Sequence, residues 1–270
     1  LRQQAAFHLI RDLEAPMSEQ LEEMRGRLDW VLGAGFDYLA SENGTSEFTH
    51  ASDTTMVAWM NELARYLDEE HGGKRAYMKV HASQGQTAES YDDPVTGDPI
   101  NINFLTYYAD PRLGVMPHTV QHYALDDTAP TYGNDGFGFM RDYLQLEVGR
   151  REVWWHPETA YWVSFDIDVP LFLPIYAERR FHDLRLLAGD EEAGRMGRGN
   201  AAGGRMDGQM VFSSGWEWGY WLGDVVAARA AWNPRLDIAN EREAFAAVLG
   251  EALSPAGSGA DSLRDLIIQI

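Results

Sequence analysis

Leu21, Met24, Leu28, Val31 and Leu32 recur at three- and four-residue steps after Ser18, which predicts an amphipathic helix stopped by Gly33 and Gly35. An earlier helix over 1–14 is expected from Ala5, Leu9 and Leu13, with Pro16 ending it. Residues 36–40 read as a strand running into an Asn43-Gly44 turn. A helix beginning at Ser52 or Asp53 should bury Met56, Trp59 or Met60, Leu63 and Leu67 before Gly72-Gly73. Further strands are expected over 76–81, 113–118, 152–155 and 209–213. Helices are expected over 139–148, over 169–187 with a kink near Pro174, and over 216–232, 241–253 and 263–268. Trp221, Val225, Ala228 and Trp232 form the expected inward face of the 216–232 helix. Long loops are expected at about 82–101 and at 189–208, the second rich in Gly and Arg.

Helix and strand therefore alternate, which predicts an α/β fold of parallel strands joined by right-handed crossovers. The expected architecture is a single domain over 1–270 resembling a (β/α)8 (TIM) barrel. Only five strands are legible, so either further strands lie hidden in segments read as loops or the barrel is incomplete or variant. A doubly wound parallel sheet is the alternative. The barrel is preferred because Glu42, His81, His118, Glu158 and Glu217 fall at successive strand ends. The carboxyl face of a barrel gathers such ends around one pocket, whereas a doubly wound sheet gathers them only near its switch point.

Composition narrows the partners. Lys and Arg number 22 against 42 Asp and Glu, a formal charge of −20. That field repels phosphate backbones and anionic lipid, so neither nucleic acid nor a membrane surface is an expected partner. No apolar run approaches the roughly 20 residues that a spanning helix needs. Cysteine is absent, which removes disulfides, thiolate nucleophiles and cysteine metal sites. The chain opens at Leu1 and closes on Leu266-Ile267-Ile268-Gln269-Ile270, as expected of a processed chain, an excised domain or a set of ordered segments.

Two passages carry candidate chemistry. Val153-Trp154-Trp155-His156-Pro157-Glu158 and Met210-Val211-Phe212-Ser213-Ser214-Gly215-Trp216-Glu217-Trp218 are each a strand running into aromatic residues and a glutamate. Glycoside hydrolysis needs one protonated carboxyl group to assist departure and one ionised group as nucleophile or as base for water. Glu158 and Glu217 are the candidate pair, and retaining and inverting geometries both stay open. Trp155, Trp216 and Trp218 would offer stacking faces for sugar rings and the desolvation that raises an acid's pKa. Glu42, His81, His118 and His156 would bind substrate hydroxyls. The expected partner is a carbohydrate, with no cofactor and no metal, and a polymeric glycan would place the protein outside the cell or in the periplasm.

On these two passages and the βα rhythm, the chain resembles the barrel-type glycoside hydrolases. In the large clan of those enzymes a glutamate after the fourth strand is the acid/base and one after the seventh is the nucleophile. The resemblance implies these roles for Glu158 and Glu217 respectively.

Other readings compete. A glutamate at a helix start also caps favourably through the helix dipole, which suits Glu217. His81, His118 and His156, joined by Glu42, Glu158 or Glu217, could instead hold Zn²⁺ or Mn²⁺ with a reactive water, although no HxH or HExxH spacing is present. Ser213-Ser214-Gly215-Trp216-Glu217 lacks the G-x-S-x-G elbow of serine hydrolases. A carbohydrate-binding barrel without a reaction is the remaining class.

Overall fold

The computed structural model describes residues 2–3, 10, 12–42, 51–128, 136–160, 174–197, 204–213 and 217–269. Its elements, in chain order, are β1 (Arg2–Gln3), α1 (Met17–Leu32), β2 (Tyr38–Glu42), α2 (Asp53–Glu70), β3 (Arg75–Val80), β4 (Thr87–Asp92) and β5 (Pro99–Asn101). A 3₁₀ turn, Ile102–Tyr108, leads to β6 (Gly114–Thr119), α3 (Gly138–Glu147), β7 (Trp154–Pro157), α4 (Ile175–Glu192) and β8 (Gly208–Gln209). The chain closes with α5 (Glu217–Trp232), α6 (Glu241–Leu253), a second 3₁₀ turn (Ser254–Gly259) and α7 (Ala260–Gln269).

The fold is α/β. Six strands form one sheet in the order β1-β2-β3-β6-β7-β8, every neighbouring pair parallel. The order follows the chain without reversal, so the switch point of a doubly wound sheet is absent among the described strands. Nor do the two edge strands, β1 and β8, pair with each other there. No helix among the described residues is long and apolar enough to cross a membrane.

Alternation along the strands divides the sheet into two unlike faces. Leu39, Ala76, Met78, Val80, Val115, Val153 and Trp155 point one way, into a core shared with Met24 and Leu28 of α1, Met56 and Leu63 of α2, Met140 of α3 and Phe181 of α4. Ala40, Tyr77 and Met116 point the other way and form a small second cluster with Trp154 and Met210. This inner face starts on a polar floor. Glu152 accepts hydrogen bonds from Tyr77 Oη at 2.5 Å, Trp154 Nε1 at 2.9 Å and Arg75 Nη1 at 2.5 Å. Glycine is required at position 114, because a Cβ there would stand 2.3 Å from the Tyr77 ring.

Several expectations are corrected. Arg2–Gln3, expected to be helical, pairs with Leu39 and Ala40 as an edge strand. The 82–101 segment contains the β4–β5 antiparallel hairpin. Asp53 holds that hairpin to the start of α2, accepting the Glu89 and Ser90 backbone N–H groups at 2.7 and 2.6 Å. A carboxylate at a helix N-terminus that receives strand amides needs three-dimensional contact, which turn composition does not show. Pro174 stands at the N-cap position of α4, where a missing N–H costs nothing, and the 169–173 part of the expected helix lies outside the described residues. The 189–208 loop is shorter than expected, since α4 runs to Glu192 and β8 begins at Gly208, while 198–203 lie outside the described residues.

The inward face of α5 is also corrected. Trp221 and Trp232 are exposed, and Tyr220, Leu222, Val226, Ala227 and Ala230 are buried instead. Apolar residues are spread around the helix, with Asp224 and Arg229 among them, so periodicity does not select a face. Close approach selects it: a Cβ on Gly223 would stand 2.9 Å from the Thr159 carbonyl oxygen, and Val226, Ala227 and Ala230 are buried on the same side.

Gly114→Ala should lower the urea unfolding free energy by about 1–3 kcal/mol, the usual cost of overpacking, with little change in m-value. An unchanged midpoint would show that the Tyr77 ring does not cross that position.

Candidate active site

The inner face changes character toward the carboxyl ends of the strands. Above the Ala40–Tyr77–Met116 cluster, Glu42 pairs in register with Lys79, and their side chains form an ion pair of 3.0 Å. Glu42 is the last residue of β2. One step further, His118 of β6 lies in register with His156 of β7, and His81 follows directly after β3. Their rings are neighbours: the His81 and His118 centroids lie 5.5 Å apart, and those of His118 and His156 lie 5.1 Å apart. Past β7, Glu158 bridges to Phe212 in the parallel sense. The Phe212 ring centroid lies 6.1 Å from both His118 and His156. Alternation puts His156 and Glu158 on one side of β7, so the structure brings together His81, His118, His156 and Glu158, with Glu42 beside them through Lys79.

Burial governs the protonation of this group. His156 is fully buried and donates its Nδ1–H to the Met210 carbonyl at 2.5 Å, which fixes the tautomer. Burial pulls its pKa down to about 4, against the Met210 carbonyl and with the help of Lys79. Burial and then Lys79 bring His81 to about 3, and the same causes with its two histidine neighbours hold His118 well below the ordinary value. All three imidazoles are therefore neutral at pH 7, able to donate to or accept from hydroxyl groups.

Glu158 moves the opposite way. It is 4% exposed, and burial pushes its carboxyl up to about 7 against the Gln121 N–H, Arg180 and Lys79, which favour the ionised form. Oε2 accepts the Gln121 N–H at 2.5 Å, while Oε1 stands 3.3 Å from His118 Nε2. Proximity there is not alignment, since neither His118 ring nitrogen has a hydrogen-bond partner among the described residues. The Gln121 backbone has φ 53°, a left-handed conformation that costs a non-glycine residue of order 1 kcal/mol. That turn aims its N–H at the carboxyl group.

Trp155 is corrected as a sugar-stacking residue. It is fully buried on the helix-facing side, with the Arg180 guanidinium 5.8 Å from its ring. An odd position beside His156 and Glu158 must face away from them. Arg180, itself fully buried, donates to Thr119 Oγ1 at 3.0 Å and to the Tyr123 carbonyl at 2.5 Å, and pairs with Asp183 at 3.2 Å. It thereby secures the end of β6 and the loop that carries Gln121. Lys79, Gln121, Arg180 and Phe212 were missed in the sequence. Lys79 alone left a signal, since it precedes His81 by two along a strand and so shares its face.

Glu217 opens α5, a position that also suits a helix cap. Its side chain and that of Trp218 lie outside the described residues, as does Trp216 entirely. Among the described residues, no group of three or more His, Asp or Glu side chains is arranged to hold a metal ion. No protein-family model and no curated protein sequence matches the chain.

These protonation states set the pH dependence of folding. Between pH 6.5 and about 4 the unfolded chain protonates its histidines while His81 and His156 stay neutral, so stability falls on acidification through that window. Glu158 opposes this: from 4.5 to about 7 the folded state holds the extra proton, so its contribution falls as pH rises. Glu158→Gln should therefore gain stability relative to the parent as pH goes from 4.5 to 7.5, measured by urea unfolding. A difference independent of pH would refute the raised pKa.

Proposed function

We propose that this chain is a glycoside hydrolase built on a barrel-type parallel sheet, with Glu158 as its acid/base. Two features support the barrel: the strands run in chain order, and their inner face carries its own small core with polar groups above it at the carboxyl ends. The observation that carries the reaction is Glu158, a carboxyl group buried at a strand end 3.3 Å from His118 and near His156, its pKa pushed up to about 7 by burial.

A general acid must hold its proton at the working pH and release it as the leaving oxygen gains charge. Glu158 meets the first need through burial. Its Oε2 is held by the Gln121 N–H, which leaves Oε1 to face the glycosidic oxygen. Withdrawal of water also strengthens each hydrogen bond from the neutral His81, His118 and His156 to substrate hydroxyls. The second carboxylate is assigned to Glu217, at the start of the helix that follows the neighbouring strand. It would attack the anomeric carbon or activate water, and Trp216 and Trp218 would stack on the sugar. The carbohydrate is the partner in this reading.

Kinetics on oligosaccharides and on 4-nitrophenyl glycosides test it. Glu158→Gln should lower kcat/KM on oligosaccharides by about 10²–10⁴-fold, the usual worth of general acid catalysis. The loss should be smaller on 4-nitrophenyl glycosides, whose leaving group departs without a proton. In the parent, kcat/KM should fall on the alkaline side with a midpoint near 7, because the acid must be protonated, and this limb should vanish in Glu158→Gln. Full activity of that variant on both substrate types would exclude the assignment.

A further inference from the structure

The chain segments leaving β7 and β8 are joined by a carboxylate from neither strand. Thr159, the residue after Glu158, is fully buried and donates Oγ1–H to Asp224 Oδ1 at 2.5 Å. Ser213, the residue after Phe212, donates Oγ–H to Asp224 Oδ2 at 2.7 Å. Asp224 belongs to α5, and its neighbour Gly223 packs against the Thr159 carbonyl so closely that a Cβ would meet it at 2.9 Å. Backbone bonds complete the join: the Thr159 N–H donates to the Phe212 carbonyl at 3.0 Å, and the Phe212 N–H donates to the Pro157 carbonyl at 2.7 Å. Both oxygens of one carboxylate are thus used to hold two strand ends under one helix.

We propose that Asp224 is a positioning residue that clamps α5 onto the ends of β7 and β8, fixing where Glu158 sits and where the helix opening with Glu217 begins. Asp224 lies seven residues after Glu217, so the two positions fall on the same face of α5, about 10 Å apart along its axis at 1.5 Å per residue. The clamp thereby ties the strand end with one candidate carboxyl group to the helix with the other. Without it, packing at Gly223 still seats the helix, but the strand end after Glu158 loses its side-chain anchor and water gains access to the carboxyl group. The consequence for turnover rests on the glycosidase reading; the positioning of Glu158 does not.

The test uses the full chain and two separate readouts. Thr159→Val and Ser213→Ala each remove one arm of the clamp, Asp224→Ala removes both, and Thr159→Ser keeps the hydroxyl. Folding is checked by circular dichroism and thermal melting. Glutamate δ-carbon NMR then follows the titration of Glu158, its resonance identified by its loss in Glu158→Gln, and 4-nitrophenyl glycosides and oligosaccharides report kcat and KM. Folded Thr159→Val and Asp224→Ala should shift the Glu158 midpoint from about 7 toward the ordinary carboxyl value. They should also lower kcat on oligosaccharides by about 10–100-fold with KM little changed, the effect of a misplaced reacting group. Thr159→Ser should restore both. If Asp224→Ala does not fold, the single-arm variants decide. Folded variants that lose thermal stability but keep the parent midpoint make the clamp merely structural and overturn the inference. If the parent turns over no glycoside, the glycosidase reading fails and the midpoint alone judges the clamp.

Discussion

Burial of both faces of the parallel sheet is the constraint on which the rest of the molecule depends. Helices cover one face, so its positions are filled by Leu39, Met78, Val80, Val115, Val153 and Trp155. The other face also leaves water, yet only its lower part is apolar, with Ala40, Tyr77 and Met116 above the Glu152 floor. Its upper part carries Lys79, the histidines and Glu158. Placing such groups in a dry interior costs free energy unless each is paired or neutral. Lys79 is paired with Glu42; the imidazoles and Glu158 respond by changing protonation.

The chemistry of the site is therefore a consequence of packing. Burial drives histidines to the neutral form and a carboxylic acid toward the protonated form, so one environment moves the two kinds of group in opposite directions. The outcome is a carboxyl group that keeps its proton toward pH 7 beside imidazoles that carry no charge there. Support comes from further out: Arg180 braces the end of β6 through Thr119 and the following loop through Tyr123, and Asp224 braces the ends of β7 and β8. Gln121 stores a strained backbone conformation so that one N–H meets the Glu158 carboxyl group.

Much of this was legible along the chain. Met24, Leu28, Met56, Leu63 and Leu67 announced their helices and are buried as their spacing required. The strands ending at or beside His81, His118 and His156 were legible because short apolar runs stop at polar residues, and parallel pairing brings equivalent ends together. Failures came where local pattern was silent. With apolar residues spread around it, α5 offered no preferred face, and the contact at Gly223 chose one that leaves Trp232 in solvent. Trp155 looked like a pocket residue because it adjoins His156, although neighbours on a strand face opposite ways. Gln121, Arg180 and Asp224 sit in motifs of no local distinction.

By itself, then, the sequence determined the α/β alternation, the positions of most helices and the residue types at the strand ends, because these follow from hydrophobic periodicity and turn chemistry within a few residues. Only the tertiary structure decided that three histidines and Glu158 share one dry face, that Trp155 does not, and that Asp224 joins two strand ends. Protonation and hydrogen bonding depend on distance, burial and neighbours distant along the chain, from Lys79 to Asp224, and no local pattern encodes those.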